Sequence, residues 1–376
     1  MPLHETKVVE RALLAQLVHG RRDPAEAAES LAELGRLAET AGMVVAGCVT
    51  QRRPRPDGGT LFGAGKVADV RAACQACSAN LLLVDNELNA IQSHNLQQAV
   101  ACRVLDRTEV ILQIFARRAR SAEAQMQVEL AQLEFLLSRI PETAAQQRFK
   151  GGIGMKGPGE SRLQLRNAPM RRRVRDLRRR LEELRLRQSN SRVRRAWPVV
   201  CLVGYTNAGK STLLNALAGS DAYVDDRLFA TLDTKTRQVR LGEGRAILLT
   251  DTVGFIRNLP HALVMSFRST LDVAVQADLL LVVADASHPR VADHLQVCRA
   301  TLAEIGAAQV PFLLVLNKCD APDAAHALLH APEGFPQAIP VSARTGRGLD
   351  TLKLAIQEEL RRCCALWQLP SATSAT

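Results

Sequence analysis

The sequence predicts an α/β protein, and three observations carry that expectation. Residues 1–107 alternate short apolar runs with helical patterns. The apolar run VVCLVG breaks at a glycine-rich turn into a helical pattern, and further apolar runs recur near 238, 246, 279, 311 and 338. Between these regions, 108–196 carries leucines spaced by three and four rather than by two. Four parts follow: an N-terminal parallel α/β domain over 1–107, an antiparallel helical hairpin over 108–196, a second α/β domain over 197–364 and a flexible tail over 365–376.

Composition narrows the setting. The chain has 376 residues, 47% of them apolar, enough to bury real cores. Only 3% are aromatic, which argues against base stacking as a mode of nucleic-acid contact. The nine cysteines are scattered, without a second CxxC to complete a zinc site, so reduced thiols are expected. The opening MPLHETKVVERALL carries charges where a signal peptide needs an apolar core, and no apolar run reaches membrane-spanning length. A cytoplasmic monomer is expected, with peripheral membrane association as the alternative.

In the N-terminal region the candidate strands are VVERALLAQL, Met43 to Val49, LLLVD at 81–85 and CRVLD at 102–106. Asp23 with Pro24 opens a helix that aligns Leu31, Leu34 and Leu37. Gly63-Ala64-Gly65-Lys66 reads as a helix-entry turn, the alternative being a second nucleotide site. His94 reads as a capping or packing residue.

The middle region predicts one helix from Thr108 to Ile140, with Met126, Leu130, Leu133 and Leu137 on one face and Pro141 ending it. The stretch RFKGGIGMKGPGESR suits a hairpin tip. A second helix runs through Val174, Leu177, Leu181 and Leu184. Residues 166–195 hold thirteen arginines, no lysine and three acids, a net charge of +10 in a chain whose total is +11. Charge so concentrated points to a polyanion met through its backbone; a solvated helix face is the alternative.

The chemistry lies in the last region. Gly204-Tyr205-Thr206-Asn207-Ala208-Gly209-Lys210-Ser211-Thr212 has the spacing G-x-x-x-x-G-K-S of a phosphate-binding loop. Its backbone N–H groups and the following helix N-terminus face phosphates, Lys210 adds a cation, and Ser211 offers a hydroxyl to Mg²⁺. Asp251-Thr252-Val253-Gly254 ends an apolar run: Asp251 suits Mg²⁺ and Gly254 a γ-phosphate contact. Asn317 and Lys318, followed by Asp320, end another run, where the carboxylate can accept two N–H bonds from guanine but none to match from adenine. Ser342-Ala343-Arg344 is placed to offer a backbone N–H to the guanine oxygen. The polar loop DDRLFATLDTKTR, which contains Phe229-Ala230-Thr231, reads as a switch segment, with Thr231 sensing Mg²⁺ and γ-phosphate, and FIRNLPHALVMSFRST as a second. Four such stretches in this order point to GTP and GDP, with Lys210, Asn207, Thr231 and Gly254 as the catalytic set and Ser211, Thr231 and Asp251 as metal ligands. Phe255 stands where many GTPases place a water-orienting glutamine. The loop pattern with Asn207 is similar to GTPases that hold K⁺ beside the phosphates; the alternative is that Asn207 only stabilises the turn.

With these residues in hand the sequence resembles the HflX family of ribosome-associated GTPases, through ERALL, the GAGK stretch, IFARRARSAEAQMQVELAQLEFL, GGIGMKGPGES, GYTNAGKSTL, LFATLD, DTVGFIRNLPHALVMSFRSTL, ADASHP and NKCD. The resemblance implies binding to the large ribosomal subunit and ribosomal RNA, GTP-driven dissociation or rescue of stalled ribosomes, and ATP as a second nucleotide at the N-terminal domain. The alternative is a GTP-gated switch in RNA binding or modification that leaves ribosomes intact. The sequence departs from the family after GPGE, where Ser161-Arg162-Leu163-Gln164 follows, and at Thr234, where a proline is usual.

Overall fold

The computed structural model describes residues 9–20, 23–139, 162–192, 197–219, 227–242, 244–257, 268–324, 338–364 and 367. By internal contact the chain forms two compact units, one of Met1–Arg117 with Val128–Arg179 and one of Arg118–Gln127 with Arg180–Thr376. The helical middle region is thus shared between them.

In the first unit, four strands lie in the order β2-β1-β3-β4, all parallel: β1 (Arg11–His19), β2 (Val44–Arg53), β3 (Leu81–Val84) and β4 (Arg103–Asp106). β1 and β3 are the inner strands, and their near-continuous apolar runs are what a sheet covered on both faces requires. The connections are α1 (Pro24–Thr40), α2 (Ala64–Ala76) and α3 (Ala90–Val100). Asp23 accepts from the Ala25 N–H ahead of Pro24, so α1 starts where its cap residues place it. Asn89 and Gln92 form a reciprocal capping box at α3. α2 begins at Gly63, whose N–H donates to Gln51 Oε1, while Lys66 pairs with Asp69 one turn on. GAGK is here a helix entry. His94 is exposed and bonds Gln98.

Beneath α1 the unit holds a buried ionic cluster. Arg107, the residue after β4, pairs with Glu33 and, at 2.9 Å, with Asp85, which also accepts from Ser30 Oγ and Gln16 Nε2. A second arginine, Arg139, reaches Asp106 and Glu109. Burial pushes the Asp106 carboxyl up to about 6 against the opposing pull of Arg139.

The middle region departs from the single helix expected over 108–140. It is α4 (Arg107–Arg118) and α5 (Ala122–Ser138), broken at 119–121. Ser121 caps α5 by accepting from the Ala124 N–H, and Asp233 accepts from the N–H groups of Arg120 and Ser121 and from the Ser121 hydroxyl. The buried stripe of α5 is also rotated from the expected leucines: Ala124, Gln127, Val128, Ala131 and Phe135 are buried, and Leu130 alone of the expected face joins them. Helix α6 (Arg162–Arg192) starts earlier than the leucine pattern suggests and carries Pro169 inside it. Val174 and Leu177 are buried, and Leu181 and Leu184 half-buried. Arg173 is held by a bidentate pair with Glu129 and Arg178 by Glu134, while Arg171, Arg172 and Arg175 are exposed. Most of the glycine-rich stretch after Arg148 lies outside the described residues.

In the second unit six strands lie in the order β10-β9-β8-β5-β7-β6: β5 (Val199–Gly204), β6 (Lys235–Gly242), β7 (Arg245–Asp251), β8 (Leu279–Asp285), β9 (Phe312–Asn317) and β10 (Ala338–Pro340). Only β6 is antiparallel, pairing with β7. Helices α7 (Lys210–Ala218), α8 (Arg268–Val275), α9 (Val291–Glu304) and α10 (Leu349–Cys363) complete it. Leu202, Leu249, Leu281 and Val315 from four strands pack with Leu213 of α7 and Ile356 of α10, all fully buried. Each such side chain contributes about 1.5–3 kcal/mol relative to exposure. The C-terminal ends of β5, β7, β8 and β9 open onto one edge, where an open parallel sheet binds its ligand.

Candidate functional site

The phosphate loop forms because β5 must turn sharply at Gly204 into α7. Gly204 has φ 154°, and a Cβ there would sit 2.2 Å from the Val283 carbonyl oxygen, so no other residue fits against β8. Asn207 also has positive φ, 60°, a conformation asparagine tolerates, and its side chain is exposed at the pocket rim. Ala208 and Tyr205 are buried, and Thr206 Oγ1 is a buried hydroxyl without a partner. A small polar pocket is lined by Thr206, Asn207, Lys210, Thr212, Phe229 and Gly254, among others. Lys210 is buried, its ammonium donating to the carbonyls of Gly204 and Tyr205. Burial lowers its pKa, with Asp251 opposing.

The three expected metal ligands converge. Ser211 Oγ lies 2.6 Å and Thr231 Oγ1 2.9 Å from Asp251 Oδ2, and the two hydroxyls are 2.8 Å apart. Asp251 Oδ1 is buried without a partner. Two hydroxyls and a carboxylate form a hard-oxygen set that fits Mg²⁺. Thr252 turns away, its hydroxyl donating to the Leu202 carbonyl, and Val253 is buried. At Gly254 a Cβ would meet Thr206 Cα at 2.9 Å and Lys210 Nζ at 3.0 Å, so this backbone lies directly against the loop. Phe255 is buried, its N–H donating to Gly204 O and its carbonyl accepting from Thr206 N. The ring at the glutamine position is part of the core. Phe229 is buried with positive φ, 54°, and Ala230 beside it is half-buried.

At the base end, Asn317 Nδ2 donates to the Ala208 carbonyl at 2.9 Å, and Asn317 Oδ1 accepts from the Ala343 N–H at 3.0 Å. That N–H ties the Ser342-Ala343 turn to the Asn317 strand end. Asp320 Oδ1 accepts from the Ser342 hydroxyl at 2.7 Å and Oδ2 pairs with exposed Arg344 at 2.5 Å. The Ser342 hydroxyl first, and Arg344 after it, hold the Asp320 carboxyl below the usual carboxylate range. Lys318 pairs with Asp285 at 2.7 Å. The role of Asp285 escaped motif reading; its place at a strand end two residues before Ser287, which donates to it, was the available signal.

Residues 258–267, the greater part of the second switch stretch, lie outside the described residues, as does most of the tail. All nine cysteines are free, and among the described residues no helix is long and apolar enough to cross a membrane.

Three family models match in chain order: a GTP-binding GTPase N-terminal region over 28–116, a GTP-binding GTPase middle region over 118–195 and a 50S ribosome-binding GTPase over 199–318. A GTPase HflX from Caldanaerobacter subterraneus subsp. tengcongensis is 43% identical, with 93% of this chain and 81% of that protein covered. The GTPase HflX of Escherichia coli is 40% identical over 88% of this chain and 79% of its own. Among solved structures, SsGBP in complex with GDP is 25% identical with a TM-score of 0.52, covering 94% of this chain and 99% of that one. By these matches, and with its glycine-rich loop and hard-oxygen cluster in place, the chain is a P-loop GTPase that hydrolyses GTP, and it belongs to the HflX family.

Proposed function

We propose that this GTPase works at the large ribosomal subunit, where its GTP-bound form dissociates or rescues stalled ribosomes. The observation that carries the reading is the match of the nucleotide domain to a 50S ribosome-binding GTPase, preceded in sequence by a stretch, 166–195, that holds thirteen arginines. Exposed Arg171, Arg172 and Arg175 supply phosphate contacts to ribosomal RNA. The catalytic set is Lys210, Asn207, Thr231 and Gly254. Lys210 neutralises charge on the phosphates, Gly254 presents its backbone N–H, and Thr231 orders the switch segment when GTP is bound. Ser211, Thr231 and Asp251 hold Mg²⁺, which when bound supplies charge neutralisation at the phosphates. Because buried Phe255 cannot orient water, Asn207 takes K⁺ as a second ion at the loop. The protein acts as a cytoplasmic monomer of three domains and a tail, and its N-terminal domain is the place for ATP if a second nucleotide is bound. Cosedimentation with purified large subunits tests the reading. Pelleting is expected with GTP or a non-hydrolysable analogue and not with GDP; equal pelleting in all three would remove the nucleotide-gated part.

A further inference from the structure

We propose that His294 is a positioning residue for GTP hydrolysis, acting through Tyr205 to fix the segment after Gly254 against the phosphate loop. His294 lies in the first turn of α9, buried, and its ring stacks on that of Tyr205 with centroids 3.8 Å apart and planes within 4°. His288 packs on His294 at 4.2 Å, and its Nδ1 accepts from the Arg290 N–H. The stack sets the direction of the tyrosine hydroxyl, which accepts from the Arg257 backbone N–H at 2.9 Å. The Arg257 guanidinium meets Asp293, the neighbour of His294, which also pairs with Arg290.

Arg257 is thus held at its backbone by the phosphate loop and at its side chain by α9. It lies three residues beyond Gly254, where an added Cβ would meet Thr206 and Lys210, and two beyond Phe255, which exchanges backbone hydrogen bonds with the loop. A glycine this close to the phosphate loop can present its N–H productively only if the chain after it is fixed. The Tyr205 hydroxyl fixes it at one hydrogen bond, and the flat ring of His294 keeps that hydroxyl in place. A phosphate-loop side chain that looks like a packing residue therefore reports to the catalytic backbone.

The inference rests on the chain's GTPase activity and is independent of any ribosomal partner, so it is read on intrinsic turnover of the full chain. Single-turnover hydrolysis at saturating GTP and the affinity for a fluorescent GTP analogue are measured together. Tyr205→Phe keeps the ring and removes the hydroxyl: the rate should fall about fivefold, the worth of one net hydrogen bond, with affinity changed less than about twofold. His294→Ala should slow hydrolysis at least as much, and His294→Phe, which keeps a flat ring, should restore it to near the wild-type rate. A wild-type rate in Tyr205→Phe would overturn the proposal, as would His294→Phe as slow as His294→Ala. Equal loss of rate and affinity in Tyr205→Phe would also overturn it, since that outcome describes a damaged loop. If His294→Ala does not fold, Tyr205→Phe decides alone.

Discussion

The Asn317 side-chain amide donates to the Ala208 carbonyl at 2.9 Å, joining the end of β9 to the glycine-rich loop after β5. Asn317 also receives the Ala343 N–H, so three segments far apart in sequence are locked at one point. The spacing between the β9 end and the glycine-rich loop is held by this amide.

In the proposed reading Asp320 is the discriminating group. Replacing it with Asn should weaken GTP binding by about a hundredfold or more and favour the xanthosine nucleotide, because an amide cannot accept two guanine N–H bonds. The Ser342 hydroxyl and then Arg344 lower its pKa. A depressed carboxyl stays ionised as pH falls past its ordinary value near 4. GTP affinity should therefore stay flat from about pH 8 to about 5 and weaken only as pH falls through the lowered value, as equilibrium titration with a fluorescent analogue would check.

Arg173 is engaged by Glu129, so the exposed cations that test polyanion binding are Arg171, Arg172 and Arg175. Replacing these three with Gln should reduce the slope of log affinity for structured RNA against log salt by about two to three, and leave GTP affinity unchanged. Filter binding across a salt series reads the slope.

Asn207 sits at the rim of the phosphate pocket with φ 60°. If it holds K⁺, turnover is faster in K⁺ than in Na⁺ at equal ionic strength, and Asn207→Ala abolishes the difference while Lys210→Ala abolishes turnover. If it serves the turn alone, wild type shows no ion preference and Asn207→Gly is nearly silent.

The buried cluster of the first unit gives a stability prediction. Arg107→Met leaves Asp85 and Glu33 buried without their cation and should cost about 3–5 kcal/mol of unfolding free energy. Urea denaturation followed by circular dichroism measures it. A loss below about 1 kcal/mol would mean that Ser30 and Gln16 suffice for Asp85.

The parts legible in the sequence are those set by local spacing. The phosphate loop, the Asp251 and Asn317 strand ends and the α1 cap each depend on residues within a few positions of one another. What escaped depends on distant partners. The break at 119–121 follows from Ser121 meeting Asp233, 112 residues away, inside a stretch whose periodicity alone favours an unbroken helix. The stripe of α5 was read from leucines, yet small Ala124 and Ala131 face inward with Phe135, because packing selects for fit as well as for size. Asp285 and His294 carry no motif of their own and acquire meaning only beside Lys318 and Tyr205.

Sucrose-gradient analysis of intact ribosomes mixed with the protein tests the central claim most directly. Ribosomes should separate into subunits with GTP or its non-hydrolysable analogue and remain intact with GDP, and replacement of Arg171, Arg172 and Arg175 should abolish the separation. Ribosomes that stay intact in every nucleotide while the protein still binds RNA would contradict the account and leave a GTP-gated RNA-binding switch in its place.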